Sequence, residues 1–237
     1  DNSIIMAGGT PVFADVERST GNIDPAAIEA AIGPRTRALL PVHLYGQCCR
    51  MDRIREIADR HGLLVVEDAA HALEADWRGK RSGHWGDFAC FSFYATKNIT
   101  SGEGGAISAK TDEHVDLLRK LRLHGMSRHA IDRYTKHFRQ YDVDTFGWKC
   151  NMDNIHAALL IGQLRKVGEW RARRQEIWER YAAALAGIDG IELHEALPDG
   201  VHSYHLFTFL VDADRRLRIM DRLQDRGIGL SLNFHPI

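Results

Sequence analysis

Three consecutive stretches constrain the fold most: TRALLPVHLYG (36–46), MDRIREIADRHG (51–62) and LLVVEDAA (63–70). The first and third are apolar runs of strand length. The second places Ile54, Ile57 and Ala58 on one helical face and stops at Gly62. The alternation continues on both sides. TPVFADV (10–16) reads as a buried strand, and NIDPAAIEAAIG (22–33) as a helix with Asp24 as cap, Pro25 in its first turn and Gly33 past its end. FACFSFY (88–94) and GAISAK (105–110) read as strands, and EHVDLLRKLRLHG (113–125) as a helix. Strands alternating with helices predict an α/β fold with a mostly parallel sheet covered by helices on both faces.

In such sheets ligands sit beyond the carboxyl ends of the strands. EDAAH (67–71) and YATKN (94–98) both fall at such ends. The composition does not redirect this reading. A formal net charge of -1 lacks the basic footprint of a nucleic-acid binder. No apolar run approaches the roughly 20 residues that span a bilayer, and the N-terminus shows no signal-peptide pattern, so neither a membrane nor a nucleic-acid partner is expected. Cys48, Cys49, Cys90 and Cys150 have no CxxC spacing and read as reduced thiols of a cytoplasmic protein. The histidines show no HExxH or paired Cys/His spacing that would announce a metal site.

After residue 126 the pattern changes. Residues 129–151 are polar, aromatic and irregular, and read as an ordered excursion. Residues 152–187 form one long helical pattern, roughly 50 Å at 1.5 Å per residue, with Gly162 and Gly168 as candidate kinks. HLFTFLVDA (205–213), a helix over 215–227 and IGLSLNF (228–234) complete a smaller α+β part. The expected organisation is a large domain over 1–150, a connecting helix over 151–187 and part of a small domain over 188–237.

Chemistry concentrates in two places. Asp68 closes an apolar strand; Lys97 stands between another apolar run and the glycines of GEGG (102–105). Alone, the carboxylate reads as a strand cap and the lysine as a solvated charge. Together they meet the needs of a pyridoxal 5′-phosphate site. That cofactor requires an amine for its aldehyde, a carboxylate for its pyridine nitrogen, and hydroxyl and backbone donors for its phosphate.

The chain resembles the DegT-type sugar aminotransferases, fold type I pyridoxal-phosphate enzymes acting on nucleotide-linked keto sugars. The resemblance rests on AGGTPVFADV, PVHLYGQ, VVEDAAHA, FSFYATKNITSGEGGAI, YDVDTFGWKCNMDNIHAALLIGQL, HSYHLFTFLVD and RGIGLSLNFHPI, in the family's order. FSFYATKNIT and GWKCNMDN are most similar to the branch that aminates C4 of UDP-linked sugars. The resemblance implies that Lys97 is the Schiff-base lysine, Asp68 the partner of the pyridine nitrogen, His71 a neighbour of the ring and Ser92 a phosphate ligand. Lys149 and Asn151 match positions that reach the neighbouring active site of a homodimer; many relatives carry asparagine and arginine there. Tyr94, His43 and His235 are candidates for facing the sugar.

The implied reaction takes an amino group from an amino-acid donor, glutamate, and gives it to a keto group of the sugar. Sugar-dehydrating relatives carry histidine where Lys97 stands, so lysine favours transamination. A non-catalytic remnant that binds a partner or ligand through the old fold, a pyridoxal-phosphate-dependent sugar dehydratase, and amination of cyclitols or other keto sugars stay open as alternatives. The resemblance also implies a chain short at both ends, lacking an upstream phosphate-binding loop and two sheet strands, one of them the natural neighbour of TPVFADV.

Overall fold

The βαβ reading of residues 36–70 holds in the computed structural model, which describes residues 2–127 and 142–233. Strand β1 (Ala38–Leu39) pairs in parallel with β2 (Leu64–Asp68), and helix α3 (Met51–His61) joins them. The regular ladder of β1 is short because Pro41 has no N–H to contribute. The chain nevertheless stays alongside β2: the Asp68 N–H donates to Pro41 O at 2.9 Å and the His43 N–H to Asp68 O at 3.0 Å. Met51, Ile54, Ile57 and Ala58 turn inward from α3 and are buried against Leu39, Val65 and Trp77. Gly62 ends the helix in the left-handed conformation, φ 63°. Helix α2 (Pro25–Ala31) packs beside α3, and its cap is as expected: Asp24 Oδ1 accepts from the Ala26 N–H at 2.9 Å.

Strand β5 (Phe88–Ser92) lies parallel to β2, with Asp68 opposite Cys90. Strand β6 (Gly105–Ala109) is antiparallel to β5, with Ser92 opposite Gly105, so the sheet order is β1-β2-β5-β6. Helix α4 (Asp112–Leu121) follows, capped by Thr111. Residues 93–104 turn the chain back along β5, which makes β6 the antiparallel member of this sheet.

Four expectations are corrected. Residues 10–16 are not a buried strand: Val16 makes only an isolated bridge to Ile23, and Val12 and Phe13 are 70% and 65% exposed. No strand among the described residues offers that segment a ladder. The helix over 152–187 is two helices, α5 (Asn154–Leu164) and α6 (Val167–Leu185), and it breaks at Arg165–Lys166 rather than at either glycine. Leu160 before the break and Val167 and Trp170 after it all pack on one cluster with Phe93 and Ile99. Within residues 205–213 only β9 (Phe209–Leu210) pairs, with β7 (Glu192–Leu193), and helix α7 (Ala213–Gln224) follows. Residues 228–233 form no strand. Most of the 129–151 excursion lies outside the described residues.

One sheet was not anticipated. Strands β3 (Asp76–Trp77) and β4 (Lys80–Arg81) form a hairpin turned by Arg78 and Gly79, both at positive φ, and β8 (Gly200–Val201) joins β3. This ties the chain after β2 to a segment more than 120 residues later. Among the described residues no helix is long and apolar enough to cross a membrane.

Candidate active site

The site begins with how Lys97 is held. Beyond β5 the chain continues through Phe93, loops out, and returns: the Ser101 N–H donates to Phe93 O at 3.0 Å, and the Phe93 N–H to Gly104 O at 2.8 Å. Thr100 Oγ1 adds a third bond, to Phe93 O, at 3.0 Å. Residues 94–100 are therefore a closed loop at the carboxyl end of β5, and the Lys97 N–H donates to Tyr94 O within it at 3.0 Å. Below the loop sit Phe93, Ile99 and Leu160, all buried. Gln163 of α5 grips it from the side, its Oε1 accepting from the Thr100 N–H at 3.0 Å and its Nε2 donating to Thr100 O at 2.7 Å. The glycines of GEGG have a specific use here. Gly104 has φ 142°, and a Cβ there would run into Met152 and lie 3.0 Å from Ser101 Oγ.

Asp68 stands at the carboxyl end of the neighbouring strand β2, partly buried, with Oδ1 accepting from the Ala70 N–H at 3.0 Å. Asp68, His71 and Lys97 share one electrostatic environment. Burial lowers the Lys97 amine below the ordinary lysine value, and the Asp68 charge works against that shift. Burial and the Lys97 charge push His71 down to about 4, again opposed by Asp68. Burial, reinforced by Asp68, raises the Cys90 thiol. At neutral pH His71 is thus an uncharged imidazole under the opposing influences of an amine and a carboxylate. Ser92 ends β5, partly buried, and its Oγ accepts from the Tyr94 N–H at 3.3 Å.

The remaining candidates fall elsewhere. Tyr94 is 47% exposed at the start of the Lys97 loop. Lys149 and Asn151 stand on an exposed segment, with Lys149 Nζ donating to Asn151 Oδ1. His235 lies outside the described residues. His43 does not face a pocket: its side chain is fully buried and its Nε2 meets Glu67 Oε2 at 2.8 Å. Its Nδ1 accepts from the Cys49 N–H at 3.2 Å, so the ring proton sits on Nε2 and is donated to Glu67. Glu67 also accepts from the N–H groups of Gly83, Trp85 and Gly86 at 2.9, 2.9 and 2.6 Å. Burial pushes the Glu67 carboxyl up, but the His43 bond and these amides outweigh it and leave the group below the usual carboxylate value. The pair is a girder beneath the end of β2. The acid before Asp68 points into the core and Asp68 itself toward the site, as alternation along a strand requires.

Around the site stand residues that the motifs did not single out: Glu74, Asn98, Arg174, Ser203 and His205. Their traces in the sequence were the position of Asn98 directly after Lys97 and the presence of Ser203 and His205 in HSYHLFTFLVD.

The α/β sheet and its likeness to solved sugar aminotransferases put the chain in the fold type I class. The chain belongs to the DegT/DnrJ/EryC1/StrS aminotransferase family, whose pattern it matches over residues 1–237. It is 43% identical over 242 residues to the spore coat polysaccharide biosynthesis protein SpsC of Bacillus subtilis, covering 100% of this chain and 62% of SpsC. Among solved structures it resembles the sugar aminotransferase Spr1654 of Streptococcus pneumoniae in its PMP form (TM-score 0.90, 30% identity, 99% of this chain and 65% of that one). Spr1654 is also solved in a PLP form. PseC of Helicobacter pylori, an aminotransferase of pseudoaminic acid biosynthesis, aligns with TM-score 0.91 and 28% identity over 100% of this chain and 62% of its own. The chain thus spans about 62% of the length of SpsC.

Proposed function

We propose that this chain carries the catalytic core of a pyridoxal 5′-phosphate-dependent aminotransferase that moves an amino group from glutamate to the keto group of a nucleotide-linked sugar. The observation that carries the reading is that Asp68 and the Lys97 loop stand at the carboxyl ends of adjacent parallel strands, β2 and β5. The residues present suit the cofactor: a partly desolvated amine for its aldehyde, a carboxylate for its ring nitrogen, and Ser92 for its phosphate. When bound, it supplies an electron sink for the carbon being deprotonated.

Lys97 does the proton work. Burial disfavours its charged form, so Nζ spends more of its time as a neutral amine than an exposed lysine would. That amine accepts a proton from one carbon and returns it to the next, while the loop bonds at Phe93 and Thr100 keep Nζ from wandering. Asp68 keeps the opposite end of the site negative. His71, uncharged, contributes surface without competing for the proton.

A homodimer completes this reading. Phe146, Trp148, Ile155 and Ile161 are 96%, 59%, 76% and 57% exposed, more apolar surface than a solvated loop and helix ordinarily show. Lys149 and Asn151 lie in the same stretch and would reach a second copy's site. The cysteines are all free, in keeping with a cytoplasmic protein.

The test is Lys97→Ala in the whole protein. Borohydride-trappable cofactor and amination of UDP- or dTDP-linked 4-keto sugars should both disappear. A variant that still turns over like the parent would end the assignment.

A further inference from the structure

In the turn after β2 and the segments packed on it runs a polar chain that is buried at Glu74 and Ser203 and part-buried elsewhere. Glu74 is 4% exposed, one turn beyond His71, and its Oε1 is held by Arg174 Nη2 of α6. Its Oε2 accepts from Asn98 Nδ2 at 2.8 Å. Nδ2 also donates to Ser203 O at 3.3 Å, and Arg174 Nε donates to the same oxygen at 3.1 Å. A carboxylate cannot donate, so the Asn98 amide has one possible orientation: NH₂ toward Glu74 and Oδ1 away. That oxygen lies 2.7 Å from His205 Nδ1. Oδ1 can only accept, so His205 must carry its proton on Nδ1. The His205 ring then packs on the His71 ring, centroids 4.4 Å apart and planes 34° apart. Ser203 closes the circuit by donating from Oγ to His71 O at 2.8 Å.

We propose that His205 is a positioning residue of this site: Glu74, clamped by Arg174, orients Asn98, which fixes the His205 tautomer against His71 and anchors the loop that carries Lys97. The inference rests on the aminotransferase reading for its purpose but not for its geometry. Asn98 follows Lys97 directly in the chain, and its side chain is hydrogen-bonded to two distant elements, the turn after β2 at Glu74 and the 203–205 segment, with helix α6 joined at one remove through Arg174. Anchoring at this point limits how far Nζ can swing out to water. Electrostatics agree with close approach: burial first, then the neighbouring His71, Lys97 and Arg174, drive His205 down to about 3.

The experiment uses the full chain without cofactor. Imidazole ¹⁵N spectra, assigned by the signal lost in His205→Gln, should show Nδ1 protonated and Nε2 bare. Acetylation of Lys97, mapped by peptide, should follow a pH profile whose midpoint rises by about half a unit or more, about threefold less neutral amine, in His205→Phe and in Asn98→Leu. His205→Gln, whose amide can still donate to Asn98, should recover the parent midpoint. His205→Phe keeps a flat ring on His71, so it guards against simple misfolding. A His205 protonated on Nε2, or a midpoint unmoved in both variants, overturns the inference. Failure of the parent protein to take up pyridoxal phosphate would overturn the proposed function instead, and these two readouts would still decide the role of His205.

Discussion

The two sides of the Lys97–Asp68 site are built differently. On the Asp68 side, β2 rests on α3 and on the His43–Glu67 pair; Met51, Ile54, Val65 and Glu67 are all at 0% exposure. Every oxygen of Glu67 is matched by a donor. On the Lys97 side, β6 is an edge strand with Ile107 54% exposed, and α5 buries only Leu160 while Ile155, Leu159 and Ile161 face outward. The carboxylate is thus set in a self-sufficient core. The amine is set on a small cluster, a gripping glutamine and the polar chain through Asn98. Groups that only hold charge can be fixed by burial. Under the proposed function Lys97 must bind, release and move a proton, which needs some freedom, and specific bonds supply its restraint in place of packing.

The largest test of this contrast is on the rigid side. Glu67→Ala would leave buried His43, the buried Gly86 N–H and the part-buried Gly83 and Trp85 N–H groups without their acceptor, and a loss of about 3–5 kcal/mol is expected in denaturant unfolding. A loss under about 1 kcal/mol would mean that the girder is decorative. Next comes Gly46→Ala. Gly46 has φ 109°, and a Cβ would come within 2.5 Å of Ser203 Oγ and 2.8 Å of the His205 N–H. About 2–3 kcal/mol is expected from strain and displacement, with His205 tautomer order degraded alongside. Unchanged stability would show that the 45–46 turn is loosely seated.

Acid should then expose the polar side. His202 and His205 are pushed down by burial to about 4 and about 3, so between those values and about 6.5 the unfolded chain binds protons that the folded one refuses. Stability should fall as pH drops from about 6 to 5, by about 1–2 kcal/mol after allowing for partial exposure. Glu67, shifted down, adds its own loss only below about pH 4.5. A flat profile between pH 6 and 5 would contradict the burial of those rings. The smallest effect on the monomer belongs to Ile155→Asp. At 76% exposure near the start of α5, the substitution should change monomer stability by under about 0.5 kcal/mol. Sedimentation should nevertheless show the dimer lost; a dimer of parent affinity would move the interface elsewhere.

Much of the site's first layer was legible. The apolar run ending at Asp68 and the lysine before GEGG could be read because strand ends and glycine turns leave local marks. His43 misled because its motif neighbourhood is shared with site residues, and only three dimensions reveal that its ring meets Glu67 inside the core. TPVFADV misled for the opposite reason: its pattern is that of a strand, but pairing needs a neighbour that local sequence cannot supply. The helix break at 165–166 follows from Leu160, Val167 and Trp170 sharing one cluster, a requirement imposed from across the chain.

By itself, then, the sequence determined the strand–helix–strand alternation of residues 36–70, the caps at Asp24 and Gly62, and the placement of Asp68 and Lys97 at strand ends, because each depends on residues a few positions apart. Tertiary structure alone decided the antiparallel edge, the buried role of His43 and the union of Glu74, Asn98, Arg174 and His205. Those depend on partners up to 107 residues distant from one another, as with Asn98 and His205, and hydrogen-bond direction has no meaning until such groups are brought within 3 Å or so of each other.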